Sequence, residues 1–73
     1  MPKHYVTFGQ VHTHRINGVT FDADCVARFE VESTQQGHER AFEMFGPKFC
    51  FEYSEEEFPH EAMHFYPRGF IDL

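Results

Sequence analysis

CVARFEVESTQQGHERAFEMFGPKFCFEY, residues 25–53, changes its hydrophobic period twice, and those two changes set the fold. Cys25, Ala27, Phe29 and Val31 alternate with Val26, Arg28, Glu30 and Glu32, the period-two pattern of a strand with one buried and one largely wet face. At Ser33 the period lengthens. Ser33 followed by Gln36 has the spacing of a capping box, in which the hydroxyl accepts from a free amide of the first helical turn. His38, Ala41, Phe42 and Phe45 then recur at the spacing of one helical face. Gly46 takes the positive-φ conformation of a helix stop without a Cβ clash, and Pro47 lacks the amide that would continue the ladder. Phe49, Phe51 and Tyr53 alternate again, which predicts a further strand.

Outward from this unit, 73 residues predict a single domain over 1–73, and a chain this short buries only about 60% of the surface it exposes when unfolded. Its core must therefore carry much area per residue. Ten Phe and three Tyr, 18% aromatic without Trp, supply that area. Two cysteines are too few for a secreted disulfide scaffold, and no apolar signal region opens the chain at Met1 to His4, which together predict a cytoplasmic protein. Strand parity groups Cys25 with Phe29 and Val31 but Cys50 with Glu52, on opposite sides of a sheet.

On the N-terminal side, Tyr5, Val6, Phe8, Val11 and Thr13 favour a strand whose apolar phase slips at Gly9-Gln10, which suggests a bulge. Asn17-Gly18 is a strong hairpin signal and returns the first strand antiparallel into the second. On the C-terminal side, Ser54 with Glu57 repeats the capping-box spacing, and Pro59 suits the first position of a short helix running to about Phe65. Tyr66-Pro67-Arg68-Gly69 is a turn, and Phe70, Ile71 and Leu73 form an apolar tail that pairs at a sheet edge or plugs the core. The expected fold class is α+β: a small antiparallel-rich sheet of three to four strands with one main helix on one face, in the order β-β-α-β-(α)-β.

Twelve acidic and six basic residues give a formal charge of −6, which disfavours direct binding to nucleic acid or to an anionic membrane. Basic or uncharged partners are expected. Six histidines make that charge conditional: protonating all of them brings the formal balance from −6 to 0 as pH falls through roughly 6.5. Between Lys48 and Arg68, Glu52, Glu55, Glu56, Glu57 and Glu61 have no basic residue among them, and Tyr53, Phe58, Phe65 and Tyr66 are interleaved. Such a segment offers long-range attraction to a basic groove and apolar anchors on docking, so Glu52, Glu55, Glu56, Glu57, Glu61, Phe58 and Tyr66 are the expected partner-binding residues. The same glutamates also suit a helix start.

The histidine spacings carry a second reading. His12 and His14 leave one face of a strand, and His60 and His64 one face of a helix, so four imidazoles could meet at zinc or nickel, with Glu61 or Cys50 as further ligands. His60-Glu61-Ala62-Met63-His64 also matches the five-residue pattern of zinc proteases, but the chain leaves too little scaffold for the long helix and cleft they need. Asp22, Asp24, Glu30 and Glu32 fit a wet strand face better than a nuclease cluster. Neither a phosphate-cradling glycine loop nor a nucleophile elbow is present, so neither catalytic residues nor a cofactor is expected.

Tyr5-Val6-Thr7-Phe8-Gly9-Gln10-Val11-His12, then Ala41-Phe42 leading to Phe45-Gly46-Pro47-Lys48-Phe49-Cys50-Phe51-Glu52-Tyr53, resembles small uncharacterised proteins encoded by bacteriophages and prophages. The resemblance implies the cytoplasm of a bacterial host and an anti-defence role of the anti-CRISPR kind, in which an acidic surface occupies a basic nucleic-acid groove. The expected function is thus a non-enzymatic inhibitor of a host nucleic-acid-handling defence complex, such as a CRISPR effector, acting as monomer or homodimer without touching nucleic acid or membrane. The alternatives are the histidine metal-binding domain and a small-molecule or nucleotide sponge that works as an oligomer through exposed aromatics.

Overall fold

The structure, a computed structural model, describes residues 2–73; of the opening read above, Met1 lies outside them. In chain order the elements are β1 (Lys3–Thr7), β2 (His14–Ile16), β3 (Val19–Phe21), β4 (Cys25–Glu30), α1 (Thr34–Phe45), β5 (Phe51–Ser54), a 3-10 helix (His60–Phe65) and β6 (Gly69–Asp72). Four strands form one sheet in the order β5-β1-β4-β6, and β2 and β3 form a separate two-stranded sheet. β1 runs antiparallel to both its neighbours, whereas β6 adds parallel to β4. This is the expected α+β architecture, with α1 packed over β1 and β5.

The 25–53 unit folds as its periods require. Ser33 Oγ accepts the amide of Gln36 at 3.1 Å. The Gln36 side chain reaches back to the amide of Glu32 at 2.6 Å, so the capping box closes one residue upstream of the cap. Gly46, at φ 61°, ends the helix with its amide donating to the Phe42 carbonyl at 2.9 Å. The buried face differs from the expected one. Gly37, Ala41 and Phe45 face the sheet, while His38 and Phe42 stand exposed at its border. The helix is turned by one residue because Gly37 alone lets α1 approach the side chain of His4 on β1.

Alternation in β1 and β4 builds two cores. Val6, Phe8, Cys25, Ala27, Phe29 and Val31 join Phe21, Ala41 and Phe45 on the α1 side. Tyr5 and Val26 point the other way, where Phe58 covers them together with half-buried Tyr53, Met63, Tyr66 and Phe70. Tyr5 stacks on Phe58 with ring centroids 4.5 Å apart. Five of the ten phenylalanines are thus core anchors, each stabilising the fold by about 1.5–3 kcal/mol on full burial. Both cysteines are free; Cys25 is buried, which pushes its thiol up from the ordinary value, and Cys50 is exposed.

Outside the unit the chain departs from its reading in three places. β1 stops at Thr7, and Gly9, at φ 63°, makes a turn instead of a bulge; a Cβ there would lie 3.3 Å from that of Cys50. Asn17 and Gly18 both take positive φ, so β2 and β3 close a hairpin on themselves, and the antiparallel partner of β1 is β4. The segment after Pro59 does run to Phe65, but as a 3-10 helix with Pro59 as its cap residue. The Ser54–Glu57 pair closes a turn of its own before it. The apolar tail pairs at the sheet edge as β6, with Ile71 against the α1-side core.

Asp72 on β6 takes two hydrogen bonds from Arg28 on β4, from Nε at 2.6 Å and from the terminal guanidinium nitrogen at 3.0 Å, and Arg28 lies over the Phe70 ring. The hydrogen-bonded guanidinium holds the Asp72 carboxyl below its ordinary value of 3.8. A lowered folded-state value stabilises above 3.8, and the contribution is lost as pH falls below it through the folded-state value. Asp72 is largely exposed, so solvent screening keeps the pair to about 1 kcal/mol or less. Asp72→Asn is therefore expected to lower the thermal midpoint slightly at neutral pH and to match wild type in strong acid. A gap that widens with acid would refute this pairing. No helix among the described residues is long and apolar enough to cross a membrane.

Candidate functional site

The acidic segment occupies the turn after β5 and the start of the 3-10 helix. Glu57 is drawn back onto Ser54, accepting from its hydroxyl at 2.9 Å and its amide at 3.4 Å. That turn projects Glu55 and Glu56 outward. Glu55, Glu56, Glu57 and Glu61 are all exposed. The basic side chains that form ion pairs do so elsewhere: Lys3 with Glu30, Arg28 with Asp72, and Arg68 with Asp22. Among the described residues no Lys or Arg is paired with Glu55, Glu56, Glu57 or Glu61, so their fields add rather than cancel. A groove of about 260 Å³ runs beside the turn, lined by Ser54, Glu55 and Glu56, by Lys3 and His4 of β1, and by Ser33 and Thr34 at the start of α1.

The other expected partner-binding residues are placed differently. Phe58 is only 4% exposed and belongs to the second core, so it supports the acidic turn from beneath instead of anchoring a partner. Tyr66 is half-buried in the same cluster, with its hydroxyl pushed up by burial first and by neighbouring Tyr53 second. Glu52 faces α1, because Val6 is its partner in the register and strand alternation sends it away from Phe51 and Tyr53. Its carboxylate is occupied. Oε1 accepts from Nε2 of His4 at 2.9 Å, and Oε2 from Nδ1 of His38 at 2.5 Å.

This His4-Glu52-His38 line links β1, β5 and α1, and the expectations above did not include it. His4 is 1% exposed, with its ring against Phe29 and its Nδ1 without a hydrogen-bond partner. Since a carboxylate only accepts, Nε2 carries the hydrogen of this bond, and Nδ1 lies against Gly37. The line is a structural clamp that fixes the edge strand under the helix. Two signals in the sequence point to it: His4 is in phase with Val6 and Phe8, and an isolated glycine interrupts a helical pattern at position 37.

The four histidines of the metal reading do not converge. His14 packs on Phe8 and Phe45 on the α1 side, and its Nε2 meets the Lys48 carbonyl. His60 packs on Tyr5, Phe58 and Phe70 on the opposite side of the sheet. His60 and His64 also fail to share a face, because a 3-10 helix eclipses residues three apart and separates those four apart. His64 instead turns Nδ1 onto the Glu61 carbonyl at 2.8 Å. Among the described residues no group of three or more His, Cys, Asp or Glu is placed to hold a metal ion, and His12, His14, His60 and His64 are not a site.

Comparison with protein-family models, with curated proteins and with solved structures finds no match. The functional reading therefore rests on the surface itself. What that surface can do is attract and orient a cationic partner: three exposed carboxylates stand on the turn and a fourth on the 3-10 helix, braced below by Phe58 and alongside by the clamped β5.

Proposed function

We propose that the protein is a non-enzymatic binding protein that docks its acidic turn on a basic, nucleic-acid-binding groove of a host complex and so blocks that groove. The observation that carries this reading is the set Glu55, Glu56, Glu57 and Glu61, exposed on a short segment and, among the described residues, not paired with a Lys or Arg. Such a patch steers a basic partner over long range, and the attraction falls as salt screens it. The chain's charge of −6 adds to it. Docking here denies the groove to nucleic acid by occupancy, so the mechanism needs neither bond chemistry nor a cofactor. The finer assignment, an anti-defence factor of the anti-CRISPR kind acting in the host cytoplasm, rests on the resemblance to phage-encoded proteins.

The test is capture from nuclease-treated bacterial lysate on the immobilised protein at low and at moderate salt. The reading expects a nucleic-acid-handling complex to be retained at low salt, released at moderate salt, and impaired in binding its own nucleic acid while retained. Retention that ignores salt, or a captured complex that still binds its nucleic acid fully, would refute the mechanism.

A further inference from the structure

β5 lies at the edge of the sheet, and among the described residues it is paired with β1 alone, which leaves the outer side of its backbone without a strand partner. Exposed aromatics flank that edge on both faces. Phe51, 60% exposed, lies on the Tyr5 side beside Tyr53. On the other face Phe42 of α1, 45% exposed, packs on Phe49 with ring centroids 5.4 Å apart. The charges are ordered along the strand as well: exposed Lys48 precedes β5, and Glu55, Glu56 and Glu57 follow it.

We propose that this edge is the interface of a symmetric homodimer, in which β5 of two copies pairs antiparallel to form a continuous sheet of eight strands, four from each copy. Antiparallel pairing centred near Glu52 and Tyr53 brings the Lys48 end of each β5 to the same end of the seam as the partner's acidic turn. The strand is therefore complementary in charge to its own reverse. A two-fold axis that pairs edge strands antiparallel stands perpendicular to the sheet, so both α1 helices fall on the same face. The spacing then fits. α1 packs over both β1 and β5, roughly one strand spacing from the seam, which sets the two helices about 10 Å apart, where helices pack in contact. Phe42 and the partner's Phe42 close over the seam from that side, and Phe51 and the partner's Phe51 from the other. The dimer needs no host component, and because it engages Glu56 and Glu57 it competes with the docking reading for the acidic turn.

Sedimentation equilibrium from micromolar to near-millimolar protein tests it, with hydrogen exchange of the Phe51–Ser54 amides at the two ends of that range. A mass twice that of the 8.7 kDa chain is expected at high concentration, with β5 amides better protected there than in dilute solution. Lys48→Glu and Phe42→Glu, both at exposed positions, should each weaken the dimer at least tenfold while leaving the circular dichroism spectrum unchanged. Adding Glu56→Lys and Glu57→Lys to Lys48→Glu should restore it. A monomer at every concentration would overturn the proposal and leave the edge to a different chain. A dimer indifferent to both single substitutions would also overturn it, since its interface would lie elsewhere.

Discussion

Gly37→Ala is expected to destabilise the domain by about 1–3 kcal/mol, although the same change at an unconstrained helix interior gains roughly 0.5–1 kcal/mol. A Cβ at position 37 would lie 2.3 Å from Nδ1 of His4, 2.4 Å from its Cγ and 2.9 Å from its Cε1. The ring is held in place by its neighbours. Glu52 holds its far nitrogen, Phe29 packs against it, and it is buried beneath the helix. Relief requires α1 to lift from β1, which opens the core around Ala41 and Phe45. Urea unfolding measures the loss, and the His4→Ala background identifies its cause. With the ring gone, Gly37→Ala should become neutral or stabilising. An equal loss in both backgrounds would mean that His4 is not what the glycine accommodates.

Glu52→Ala has the second large effect, about 2–3 kcal/mol of lost stability. Removing the carboxylate leaves the Nε2–H of His4, a residue 1% exposed, without its partner, and that nitrogen's ring partner, Nδ1, already lacks a bond. An orphaned buried donor costs about 1–3 kcal/mol, with a further contribution here from the lost link between β5 and α1. His38→Ala removes only an exposed partner and should cost less than about 1 kcal/mol. Glu52→Gln keeps an acceptor for His4 and should fall between the two. The order Glu52→Ala, Glu52→Gln, His38→Ala, from largest loss to smallest, is the expected urea result. Equal losses at 52 and 38 would remove His4 from the account.

The sheet and helix were legible in the sequence because local signals carried them: alternation in 25–31, the cap at Ser33, the stop at Gly46 and Pro47. Asn17-Gly18 marked a turn correctly but not which strands it joins, since pairing of β1 with β4 is decided by which apolar faces cover each other, not by adjacency in the chain. The acidic turn was legible as charge, whereas the burial of Phe58 and the inward turn of Glu52 were not. Each depends on a register set across the sheet, and a one-residue shift would reverse which side chains face α1. The metal reading failed on placement and on helix type: His14 and His60 lie on opposite sides of the sheet, and the spacing of His60 and His64 suits an α-helix whereas the segment is 3-10. The clamp was missed because a histidine at the start of a strand reads as polar until its alternation with Val6 and Phe8 is taken literally.

The most direct test of the acidic turn as the partner surface is a paired capture from nuclease-treated bacterial lysate at low salt. One arm uses wild type and the other the Glu55→Lys, Glu56→Lys, Glu57→Lys triple variant, with retained proteins identified by mass spectrometry. These side chains are exposed, and Glu57 bonds only to its own turn, so circular dichroism should show the variant folded. The account predicts a nucleic-acid-handling complex retained by wild type and absent from the variant. The same complex retained equally by both, or none retained by wild type, would contradict it.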